Sequence, residues 1–125
     1  MNKFLVLSGV LGTAILMSAC AEKKPLTPEE QWQGYCKSIG NAARSIILDR
    51  QNGILHKEAL EYANKVTDPT TKKFVLEQVA KAYAYAADEL EVDSNGLQVQ
   101  FRDEAEKQCL ETPFDAKSLP DYKQF

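Results

Sequence analysis

The chain has 125 residues, room for one domain, and its 44% hydrophobic and 26% charged content is that of a globular protein, not a disordered one. A net charge of -3 without a concentrated basic face argues against a nucleic-acid partner, because such proteins need excess Lys and Arg to displace counterions from phosphates. Three cysteines and one histidine bound the chemistry further.

The first residues have the pattern of a targeting segment. Lys3 gives a short positive region, Phe4 to Met17 an apolar run, and Ser18 and Ala19 two small residues before Cys20. The run is short for a bilayer-spanning helix, which takes roughly 20 residues, so removal of residues 1–19 is expected. Met17-Ser18-Ala19-Cys20 resembles the lipobox of bacterial lipoprotein signal peptides, with Met17 where that motif usually has Leu. The resemblance implies that Cys20 becomes the lipidated, palmitate-bearing N-terminus of the mature chain. Ala21, in place of Asp, resembles the signal for export to the outer membrane in Gram-negative bacteria. The competing reading is an ordinary secretory signal cut after Ala19, leaving a free thiol at Cys20. With Cys20 set aside, Cys36 and Cys109 form an even pair in a chain sent to an oxidising compartment, which predicts a disulfide.

Residues 20–27 are polar, contain Pro25, and suit a tether that holds the domain within roughly 25 Å of the bilayer at about 3.3 to 3.6 Å per residue. Thr27-Pro28-Glu29-Glu30 then combines an N-cap, a proline at the first helical position and a capping-box glutamate. Trp32, Cys36, Ile39, Ala43, Ile46 and Arg50 follow at spacings of three or four, which predicts a helix from Pro28 to Gln51 ended by Asn52-Gly53. A second helix is predicted from Leu55 to Val66, with Leu55, Ala59, Tyr62, Ala63 and Val66 on its apolar side. Asp68-Pro69 repeats the cap-plus-proline signal, and Leu76, Val79, Tyr83, Ala86 and Leu90 predict a third helix running to about Glu91. The alternation in residues 80–86 is alanine-rich and therefore helical, since alanine is the best helix former and is depleted in strands. Asp93-Ser94-Asn95-Gly96 has turn chemistry, after which Leu97, Phe101, Ala105 and Cys109 predict a final helix from Leu97 to Leu110.

The expected fold is all-α, a small four-helix bundle over residues 28–111 with its first and last helices joined by Cys36–Cys109, followed by an irregular tail, 112–125, whose Phe114, Tyr122 and Phe125 are available to dock. Closing a loop of about seventy residues contributes on the order of 4 kcal/mol in the chain-entropy picture. The wide spacing of the pair, unlike Cys-x-x-Cys, speaks for a structural bond over a redox-active one.

His56 is alone among histidines, and Glu58 and Glu61 do not complete a ligand set with it, so neither a metal nor a cofactor is expected. No Gly-x-Ser-x-Gly, phosphate loop or His-Glu-x-x-His is present. The weak binding candidates are Arg50, Tyr85, Asp88 and Glu89. Arg50 falls on an apolar stripe near a helix C-terminus, where bonding to the last carbonyls or an internal carboxylate is the favoured expectation and a ligand carboxylate the minority one. Tyr85 is two residues from Tyr83 and so leaves its stripe, either to pack on another helix or to lie on the surface. Asp88, Glu89, Glu91 and Asp93 are expected at the unfavourable negative end of the third helix, as a solvated end or an acidic patch for a basic partner.

Cys36, the segment Ile46-Ile47-Leu48-Asp49-Arg50-Gln51-Asn52-Gly53, Val79-Ala80-Lys81-Ala82-Tyr83 and Phe101 to Cys109 resemble a group of small, uncharacterised exported bacterial helical proteins, over about residues 35–111. The group implies export and a disulfide-linked helical domain; it brings no activity, so no functional residue is carried across. The expectation is a non-enzymatic lipoprotein, anchored in the outer membrane and facing the periplasm, that binds a protein or envelope component, with an inhibitor or immunity protein as the sharper version. The alternatives are an envelope hydrolase or its accessory, which needs a pocket gathering His56, Arg50 and a carboxylate, and a structural envelope protein.

Overall fold

The computed structural model describes residues 24–120, and within them four helices and no strand: α1 (Pro28–Gln51), α2 (His56–Asn64), α3 (Pro69–Ala84) and α4 (Ser94–Glu111). α1, α3 and α4 each begin where a side chain satisfies a free N–H group. At α1 the Thr27 N–H donates to Glu30 Oε2 at 2.8 Å and the Glu30 N–H to Thr27 Oγ1 at 3.2 Å, a complete capping box. Asp68 caps α3 by accepting from the Thr71 N–H at 2.7 Å. The C-terminus of α1 closes with Gly53 at φ 87°, a left-handed conformation open to glycine at no steric cost, as its bonds to Arg50 and those of Asn52 to Leu48 are completed.

α1 and α4 are the most extensively packed pair. They run antiparallel, Cys36 opposite Cys109 at one end and Gln51 opposite Ser94 and Gln98 at the other. The buried residues of α1 (Trp32, Tyr35, Cys36, Ile39, Ala43, Ile47) form one core with Leu97, Phe101, Ala105 and Cys109 of α4 and with Phe74 and Ala82 of α3, Tyr35 reaching Thr71 and Phe74. Ile47, not Ile46, reaches the deepest position; Ile46 packs at the core's margin. The helices come closest at Gly40, where a methyl group would sit 2.8 Å from the Arg102 carbonyl oxygen and 3.1 Å from Glu106 Cβ. The approach is backbone against backbone, so only glycine fits.

The disulfide joins Cys36 and Cys109, 73 residues apart in sequence, with Cα atoms 5.3 Å apart and both side chains fully buried. Beside it, Trp32 stacks on Phe114 at 5.2 Å between ring centroids and lies 5.1 Å from Tyr35. Phe114 of the tail therefore docks on the bundle; Tyr122 and Phe125 lie outside the described residues.

α3 lies across α1 and carries α2 on its other side. Its inner face is Phe74, Gln78 and Ala82, while Val79 turns toward α2. Two features of α2 depart from expectation. The helix spans nine residues, and Leu55 and Tyr62, assigned to its apolar side, are each 66% exposed, leaving Ala63 as its one buried residue. A short helix resting mainly on α3 has only a narrow covered face.

α3 ends at Ala84, seven residues before the expected Glu91, and α4 begins at Ser94, three before the expected Leu97. Tyr85 is extended, with φ -68° and ψ 138°, and the chain turns through residues 86–93. The turn buries Leu90 and packs Tyr85 5.7 Å from Phe101. Burial thus outweighs the high helix propensity of the alanine-rich segment, which is worth only tenths of a kcal/mol per residue against about 2 kcal/mol for a buried leucine or aromatic ring. Asp93 accepts from the Gly96 N–H at 3.0 Å and is the N-cap of α4, so the turn chemistry of residues 93–96 is a helix start.

Candidate functional site

At the end of α1 opposite the disulfide, the α1 C-terminus, the 86–93 turn and the start of α4 border an open cavity of about 570 Å³. Leu48 and Leu90 supply apolar wall, and Arg50, Glu91, Ser94 and Gln98 bring polar groups to it. Its floor is an amide chain. Gln98 Nε2 donates to Gln51 Oε1 at 2.8 Å, and Gln51 Nε2 donates to the Ser94 carbonyl at 3.1 Å and reaches the Leu90 carbonyl at 3.5 Å. Gln98 is 8% exposed, so this chain satisfies a buried amide while fixing the register of α1 on α4 and on the turn.

Arg50 does not bond the last carbonyls of α1 or an internal carboxylate, contrary to the favoured expectation. Its guanidinium carbon lies 5.2 Å from the centre of the Tyr83 ring, its Nε is buried without a hydrogen-bond partner, and among the described residues it forms no ion pair. The carbonyls it was expected to meet are taken by the Asn52, Gly53 and Ile54 N–H groups of the Gly53 turn. A tyrosine face compensates part of its charge.

Tyr83 anchors the surroundings. Its hydroxyl donates to the Ile54 carbonyl at 2.6 Å, and the His56 ring stacks on it at 4.7 Å with 14° between planes. Burial raises the Tyr83 pKa above its ordinary value; Arg50 opposes the shift, and Asp49 and Glu58 add to it, so the hydroxyl stays a donor at neutral pH. His56, exposed in the first turn of α2, reaches Arg50's neighbourhood through this stack and is not part of the cavity wall.

The four candidate binding residues do not form one site. Arg50 lines the cavity; Tyr85 is half-buried against Phe101. Asp88 is exposed on the turn whose Ala87 and Glu91 face the cavity, and Glu89 accepts from the Ala86 N–H at 3.2 Å within that turn. None of these carboxylates sits at a helix C-terminus, because α3 has already ended, and Asp93 occupies the favourable N-terminal end of α4. Cys20 lies outside the described residues.

Sequence inspection passed over Gln51, Gln98 and Ser94. The one available signal was Gln98 beside Leu97 on the inward face of an otherwise apolar helix; which amide it meets depends on how α1 and α4 are juxtaposed.

Two smaller cavities lie elsewhere. One of about 380 Å³ at the start of α3 is bordered by Lys73, Glu77 and Gln108. There Gln108 donates to Glu77 at 3.0 Å and accepts from Lys81 at 2.9 Å, so the Gln108 amide is already engaged on both sides. The other, about 160 Å³ and mostly apolar, lies between α1, α2 and α3 by Ile46, Tyr62 and Val79. Among the described residues no three His, Cys, Asp or Glu side chains gather as a metal site, and no helix is long and apolar enough to cross a membrane.

Comparison with protein-family models, with curated proteins and with solved structures gives no significant match.

Proposed function

We propose that this chain is a lipid-anchored bacterial envelope protein whose helical domain works by binding, not turnover. The observation that carries the proposal is the buried Cys36–Cys109 bond in a domain preceded by an apolar run that ends at Cys20. A structural disulfide belongs to an oxidising compartment such as the periplasm. The lipobox-like residues 17–20 and Ala21 support diacylation at Cys20 and delivery to the outer membrane, with the domain facing the periplasm. Each buried methylene contributes about 0.8 kcal/mol, so two or three acyl chains hold firmly where one holds marginally. Anchoring at Cys20 confines the domain to a shell near the bilayer and raises its local concentration there.

Binding is favoured over hydrolysis by the cavity's composition. It gathers Arg50 and Glu91 without His56, and the Ser94 hydroxyl, the one hydroxyl in its wall, is hydrogen-bonded to no base among the described residues. An inhibitor or immunity protein is a sharper form of the same proposal, and a protein or envelope component is the partner it requires.

Intact-mass analysis of the mature protein tests the anchor. The expected product begins at a thioether-acylated Cys20, shows no free thiol at Cys36 or Cys109, and fractionates with the membrane, while Cys20→Ser releases it to the soluble fraction. A soluble wild-type product with an unmodified Cys20 overturns the assignment. Cross-linking in intact cells, followed by identification of the captured species, tests binding.

A further inference from the structure

The 570 Å³ cavity is in the size range of small-ligand sites and pairs apolar wall with a few convergent polar groups. Arg50 is its distinctive member. A guanidinium stripped of water at Nε, with no carboxylate partner among the described residues and an aromatic face against it, retains most of its attraction for an incoming anion in a partly dry setting. Its planar fork matches a carboxylate.

Charge around the cavity selects among anions. Glu91 shares the wall, and Asp88, Glu89 and Asp93 lie on the same turn or at its end. That negative rim repels a doubly charged phosphate and attracts an ammonium group. Leu48, Leu90 and Ala87 leave space for an apolar side chain.

We infer that this cavity binds a zwitterion, an amino acid or the equivalent groups of a short peptide, with its carboxylate on Arg50, its ammonium toward Glu91 and its side chain against Leu48 and Leu90. The inference deepens the proposed binding function and rests on it, but is independent of the lipid anchor.

The test is a titration of the full chain, followed by amide shifts at Gln51 to Gly53 and Ser94 to Gln98, with L-leucine, the dipeptide Leu-Leu, leucinamide, N-acetyl-leucine and inorganic phosphate. L-leucine or Leu-Leu is expected to saturate the shifts. Preference for the first identifies a free amino acid as the ligand class and preference for the second a peptide. Leucinamide, lacking the carboxylate, and N-acetyl-leucine, lacking the ammonium, are each expected to bind at least about tenfold more weakly. Arg50→Gln is expected to abolish the discrimination against leucinamide, and Glu91→Gln, at an exposed position that leaves the fold intact, the discrimination against N-acetyl-leucine. The inference is overturned if neither zwitterion binds up to about 10 mM, if phosphate binds as well as leucine, or if Glu91→Gln leaves the discrimination unchanged. An acylated Cys20 with no zwitterion binding removes this inference alone; zwitterion binding with an unmodified Cys20 removes the anchor alone. Cross-linked partners without zwitterion binding leave the broader binding proposal standing.

Discussion

The two ends of the α1–α4 pair solve the same packing problem with opposite chemistry. At one end, Cys36 and Cys109 are bonded and fully buried beside Trp32, Tyr35 and Phe114. At the other, Gln51, Gln98 and Arg50 meet the 86–93 turn around a cavity. A covalent tie together with stacked rings holds the first end, so the second can spend buried volume on amides, an unpaired guanidinium and open space. The guanidinium and the open space contribute little to stability and suit recognition, while the amides hold the walls in register. The binding surface is expected where the packing is least tight.

Removing the bond tests that division most severely. Cys36→Ala with Cys109→Ala is expected to lower unfolding free energy by about 4 kcal/mol, measured by urea denaturation, and to loosen hydrogen-exchange protection at the amide end as well as the sulfur end. Protection lost only near the bond would mean that the two ends are independent.

Gly40 lies between them, and its test has a decisive sign. At an open helical position Gly→Ala stabilises by roughly 0.5 to 1 kcal/mol, but a methyl group 2.8 Å from the Arg102 carbonyl forces the helices apart. Gly40→Ala is therefore expected to cost about 2 kcal/mol in thermal or chemical unfolding. A stabilised variant would mean that α1 and α4 pack less closely here.

Half-buried Gln51 and buried Gln78 give opposite predictions. Gln51→Leu strands the Gln98 Nε2 and removes the donor to Ser94, and is expected to cost about 1 to 2 kcal/mol. Gln78 is 3% exposed and its Nε2 has no partner, so Gln78→Met is expected to add about 1 kcal/mol. Side-by-side denaturation curves check both.

The smallest effect is at high pH. Burial raises the Tyr35 pKa above its ordinary value of 10.0; the hydrogen bond to Thr71 lowers it and Asp68 raises it. The phenol is 2.9 Å from Thr71 Oγ1, which itself donates to Asp68 at 2.8 Å, so Tyr35 is the donor in a chain that ties α1 to the cap of α3. Because the folded pKa is the higher one, this contribution is complete below the ordinary pKa and is lost as pH climbs through the folded value. Stability should therefore be insensitive to this group near neutral pH and fall above pH 10.0, and Tyr35→Phe should flatten that fall. An unchanged alkaline profile in Tyr35→Phe would assign the loss to other tyrosines.

Local signals accounted for much of the architecture. Thr27-Pro28-Glu29-Glu30, Asp68-Pro69 and Gly53 each act through neighbours a few residues away, and the ends they mark agree with the helices observed. The α4 stripe of Leu97, Phe101, Ala105 and Cys109 is buried throughout, because one regular spacing serves one partner. Setting Cys20 aside left Cys36 and Cys109 as one even pair, and these are the two that are bonded.

Where two neighbours compete for one segment, periodicity alone misleads. The stripe assigned to α3 crossed from the α1 side to the α2 side, and its C-terminal end was set by the burial of Tyr85 and Leu90, which lie far from Phe101 in sequence but near it in space. Arg50 was legible as an anomaly on an apolar face, while its placement over Tyr83 depends on where α3 passes α1. The sequence by itself determined the starts of α1 and α3, the sulfur pairing and the inward face of α4, since these are short-range or combinatorial facts. Only the tertiary structure decided which amides meet, where α3 stops and that a cavity opens beside a guanidinium with no ion-pair partner among the described residues, because each depends on contacts between segments roughly 15 to 50 residues apart.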